Sequence, residues 1–147
     1  ASFALCDRAD SVEPRMMTEV VRAGTWRKLG DIERTATSFE RALALDPANW
    51  SLHLDLADIR AQQGDFEAAV RLTAEGTTHA PTEPVLLTAH AAYRTRLTGS
   101  PSALHELLDL ARKLPRSPYR DLLIDHACEG PGLSARLVRA AREVQQS

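Results

Sequence analysis

Pro47, Pro81 and Pro115 stand 34 residues apart, Gly30 and Gly64 share that interval, and Gly132 lies three intervals beyond Gly30. Prolines average about 5% of residues, so a triple at one preset spacing among eight prolines arises by chance on the order of 2% of the time. Asp31 and Asp65 follow the two glycines at the same offset, which makes coincidence less plausible still. The residue types have a physical logic. Glycine suits a tight turn between helices, where positive φ is often needed. Proline cannot continue a helix and so punctuates its end. A fixed period of this length implies stacked helical hairpins, an architecture with a large concave surface and no obligatory reaction centre.

The remaining composition agrees with an all-α chain. Its 147 residues suit one domain, glycine is sparse at seven, and aromatics make up only 5%. No apolar run approaches the 18 or so residues that span a membrane. The start, ASFALCDRAD, lacks a basic segment followed by an apolar stretch, so it does not read as a signal peptide. With only Cys6 and Cys128, the expectation is a cytoplasmic domain with reduced thiols. Ala1 in place of Met points to a processed start or to a piece of a longer protein. The net charge of −2 is too small to imply a nucleic-acid or membrane partner. It is unevenly spread, with residues 1–90 at −5 (9 basic, 14 acidic) and 91–142 at +4 (9 basic, 5 acidic). This is either a mixed solvated surface or a source of attraction to another copy or an acidic partner. Two Lys against sixteen Arg leans toward a GC-rich bacterial genome.

Helical periodicity recurs along the chain. The spacing predicts a leading helix over 1–12, a break at Pro14, then helices over 15–29, 31–45, 48–63, 65–79, 82–97, 101–114, 118–129 and 133–146. The turn Thr98-Gly99-Ser100-Pro101 is one residue out of phase, with Ser100 as N-cap and Pro101 in the first helical position. Short connections predict antiparallel neighbours.

At this level the chain resembles the tetratricopeptide repeat (TPR) family. GDIERTATSFERALALDP is similar to the second helix of one repeat, with Trp26, Gly30, Phe39, Ala42 and Pro47 near the family's recurring positions. LADIRAQQGDFEAAV resembles the turn of the next, with Ala57, Gly64, Phe66 and Ala69 in place. The resemblance is strong over 15–81 and looser beyond. It implies a right-handed superhelix of about four antiparallel hairpins (repeats near 15–48, 49–82, 83–116 and 117–147), with residues 1–14 as an extra helix. His53 stands where the family often has a large aromatic, and Gly76 inside a helix costs about 1 kcal/mol against Ala, so looser packing is expected there.

No chemical site is legible. The five histidines make no zinc-ligand spacing, and no glycine-rich phosphate loop is present. Asp55 and Asp58 share a helix face, which reads as solvated rather than as an acid–base pair. No enzyme activity, cofactor or metal is therefore expected. By position, the resemblance implies a groove of Met17, Val20, Arg27, Lys28, Leu54, Asp58, Gln62, Val85, Thr88 and Arg96, joined by Tyr119, Leu122, His126 and Glu129. Val20, Leu54 and Val85 would form its floor, and Arg27, Lys28 and Arg96 its charged edge. The positions of the family's carboxylate clamp hold Val20, Gly24 and Asp55, so no such clamp is expected. The functional expectation is a protein-interaction scaffold binding a peptide or partner domain, or alternatively a regulatory or docking domain of a larger enzyme or transcription regulator. The apolar residues Phe3 and Leu5 at one end, and Leu137, Val138 and Val144 at the other, suggest a homodimer.

Overall fold

The computed structural model describes residues 31–147. These form α1 (Ile32–Leu45), α2 (Trp50–Gln62), α3 (Phe66–His79), α4 (Pro84–Thr98), α5 (Pro101–Arg112), α6 (Pro118–Cys128) and α7 (Ala135–Gln146). The expected leading helix and the helix over 15–29 lie outside the described residues, as do Met17, Val20, Arg27 and Lys28.

The 34-residue lattice reappears as helix caps. Asp31 and Asp65 each accept a hydrogen bond from a backbone N–H three residues on, and Ser100 and Ser134 do the same for α5 and α7. Asn49 and Ser117 cap α2 and α6. Each such cap is worth about 1 kcal/mol. Pro101 occupies the first turn of α5, as the spacing predicts. Gly64 and Gly99 adopt φ of 82° and 68°, the left-handed turn that glycine adopts without a Cβ penalty.

Consecutive helices pack as hairpins, α2 with α3, α4 with α5, and α6 with α7. The first helices of the hairpins also meet, α2 with α4 and α4 with α6, and form an inner layer. α1, α3, α5 and α7 lie outside it. The arrangement is an all-α helical-repeat fold.

Small residues set the close approach of helices. Ala42, Ala57, Ala69, Ala91, Ala111 and Ala127 are fully buried. Gly76 occupies the same lattice position as Ala42, one period on. A Cβ built there would lie 3.2 Å from the His53 Cβ and 3.3 Å from both Leu86 methyls. The expected looseness at this point is thus absent, because glycine lets α3 come close against α2 and α4. The last hairpin is held by Arg120, only 3% exposed, whose Nε donates to the Ala111 carbonyl (3.0 Å) and Nη2 to the Val144 carbonyl (2.8 Å). Val144 is buried and Leu137 packs against the core, so α7 gives much of its apolar side to its own fold.

Candidate functional site

Three inner-layer helices enclose a cleft of about 480 Å³. Asp58, Ile59, Ala61 and Gln62 come from α2, Tyr93 from α4, and Tyr119, Leu122 and His126 from α6. Its floor is a hydrogen-bonded node. The hydroxyls of Tyr93 and Tyr119 both donate to the Asp58 carboxylate, Tyr119 at 2.8 Å and 3.0 Å from its two oxygens. Burial, reinforced by the Asp58 charge, pushes both tyrosines far above their ordinary pKa and keeps the donors protonated. Asp58 is therefore no plain solvated carboxylate, and the sequence expectation is corrected. It ties three consecutive hairpins together.

Beside the node runs an aromatic wall. Phe66 and His126 meet edge to face with centroids 5.3 Å apart, and Tyr93 lies 6.0 Å from His126. The Arg96 guanidinium sits 4.6 Å above the Phe66 ring, and its Nε lies 3.9 Å from Glu129. That placement gives a cation–π contact. Burial, the largest cause, lowers the His126 pKa, so the imidazole is neutral near pH 7; Glu129 opposes the shift and Arg96 adds to it.

The expected groove is brought together in part. Asp58 and Gln62 line the cleft. Val85 is half-buried against the core. Arg96 is at the edge but turned onto Phe66. Leu54 and Thr88 are corrected, since they are 7% and 1% exposed and belong to the core. The Thr88 hydroxyl turns back to the Pro84 carbonyl at 2.7 Å. Leu54, Thr88 and Leu122 are spaced by 34 residues, yet Leu122 is 47% exposed because no further inner-layer helix covers it among the described residues. Tyr93 escaped the sequence reading. It stands one period after Ile59, a core position, and only its long polar tip reaches the cleft.

Among the described residues, no cluster of His, Cys, Asp or Glu could hold a metal ion, and no helix is long and apolar enough to cross a membrane. The repeating helices and their inner-layer cleft define a helical-repeat scaffold. Residues 27–93 match the family model of the tetratricopeptide repeat. Among solved structures it is similar to the N-terminal domain of stress-induced protein-1 (STI-1) from C. elegans. The TM-score is 0.52 and the identity 14%, covering 92% of this chain and 98% of that one. At that identity the likeness concerns the fold. No curated protein matches the chain.

Proposed function

We propose that the chain binds an extended peptide segment of a partner protein in the cleft between α2, α4 and α6. Tetratricopeptide repeats are protein-interaction scaffolds in general, and a cleft with an exposed apolar side chain supports such a role here. The observation that carries the reading is the exposed Leu122 beside the Tyr119 ring, with the Gln62 amide across the cleft. An apolar side chain of the segment rests on Leu122 and Tyr119, while Gln62 offers a donor and an acceptor to the segment's backbone. Arg96 is drawn to Phe66 and Glu129, so it adds little to any preference for acidic segments.

The test is selection of peptides from a displayed library, followed by fluorescence anisotropy with the purified chain. Leu122→Asp is expected to weaken the selected peptides roughly 10- to 100-fold, the worth of one desolvated leucine contact. Circular dichroism should stay unchanged, since Leu122 lies outside the core. Selected peptides that bind this variant as tightly as the parent would remove the cleft from the reading.

A further inference from the structure

A second recess lies on the other side of the inner layer. α1 and α3 make no close backbone contact with each other. Between them is a groove of about 490 Å³, walled by Leu43 and Ala44 of α1, Pro47, and Glu75, Thr78 and His79 of α3, with His53 of α2 at its base. His53 is 4% exposed. Its Nε2 lies 2.9 Å from the Pro47 carbonyl. A carbonyl only accepts, so Nε2 carries the hydrogen, and in the tautomer that this bond selects Nδ1 is an acceptor.

That Nδ1 is buried and has no hydrogen-bond partner in the protein. A buried polar atom left unpaired costs about 1–3 kcal/mol. A Glu75 carboxylate oxygen, a second acceptor, lies 3.9 Å from Nδ1. His79 stacks face to face on His53, with centroids 5.7 Å apart and planes 25° from parallel, so it does not donate in the ring plane. Glu40, also on the groove wall, is already paired with Arg60. Two acceptors, one charged, face a single space, and none of the described residues places a donor between them.

We propose that this groove receives an arginine side chain of a partner polypeptide. A guanidinium presents a planar fork of N–H donors, which serves Nδ1 and the Glu75 carboxylate together, whereas an ammonium offers no such fork. The apolar wall of Leu43, Ala44 and Pro47 covers the aliphatic stem. His53 takes the place of a large aromatic, and Gly76 behind it brings α3 against its Cβ; together they put an acceptor, rather than a hydrocarbon ring, at the base.

The test is a nuclear magnetic resonance titration of the whole chain with N-acetyl-arginine methylamide. N-acetyl-citrulline methylamide, its neutral isostere, serves as the control. The expected result is a saturable shift of the His53 ring nitrogens with the arginine compound alone, weakened roughly fivefold by Glu75→Gln. His53→Phe, which restores a large aromatic, should abolish the shifts at Glu75 while the thermal melt stays cooperative. Equal responses to both compounds, no response to either, or indifference to Glu75→Gln would each overturn the proposal. Leu122→Asp in the inner cleft should leave this titration unchanged, which separates the two sites.

Discussion

Asp58 accepts hydroxyls from side chains 35 and 61 residues further along the chain. One carboxylate thereby reports on the register of three hairpins. A hydrogen bond to a charged group is worth roughly 1.5–3 kcal/mol net. Tyr93→Phe keeps the ring and deletes one donor, so a loss of about that size is expected in urea unfolding at neutral pH. Tyr119→Phe should behave alike, and the double variant should exceed the sum, because in each single variant the remaining hydroxyl can re-aim at the freed oxygen and recover part of the loss. Asp58 and Gln62 were legible from repeat position alone. Tyr93 was not, because the periodicity marks it as core and is silent on where a hydroxyl ends. Leu54 and Thr88 were misread for the opposite reason. The lattice gives them the position of Leu122, but whether that position is open depends on which helix lies over it.

At the scale of elements, the turns separate two costs that glycine hides. Gly64 has open space around a built Cβ, so Gly64→Ala meets only the strain of its positive φ, about 1–2 kcal/mol. At Gly99 the added Cβ would fall 1.6 Å from the Pro131 carbonyl oxygen. Gly99→Ala is therefore expected to lower the denaturant midpoint clearly more than Gly64→Ala, because two backbones must separate. Arg120 gives a second prediction. Its two charge-assisted bonds reach the ends of α5 and α7, and Arg120→Met removes both. A loss of roughly 1.5–3 kcal/mol for each bond is expected, with faster amide exchange in α7 than in α2. Helix boundaries were legible to within about two residues, since caps and prolines carry them. The Arg120 anchor was not, because an arginine in a helix of mixed charge looks like any solvated one.

Across the whole molecule, buried histidines set a pH response. Burial lowers the pKa of His90 and of His126, and Arg94 and Arg96 respectively add to the shift. Hydrogen bonds from Gln145 and Arg142 lower that of Asp125. In each case the unfolded chain binds the proton more readily, so stability is fully present above the unfolded pKa and is lost as pH falls through the folded one. The melting temperature should hold steady above about pH 7 and decline as pH falls below about 6.5, with a further decline below about 4 from Asp125. His90→Gln should flatten the first decline; an unchanged slope would assign it elsewhere. The stack also has a mechanical consequence. At the Gly99 turn, backbone lies on backbone: the Pro131 carbonyl stands where a side chain would be, and at Gly130 the Thr95 carbonyl does the same. Neither contact has a rotamer through which to yield, so the α4–α5 and α6–α7 hairpins are pinned at that corner. A guest that widens the inner cleft must swing α6 about this pin, and the gap opens as a door does, least at the jamb and most at the far edge.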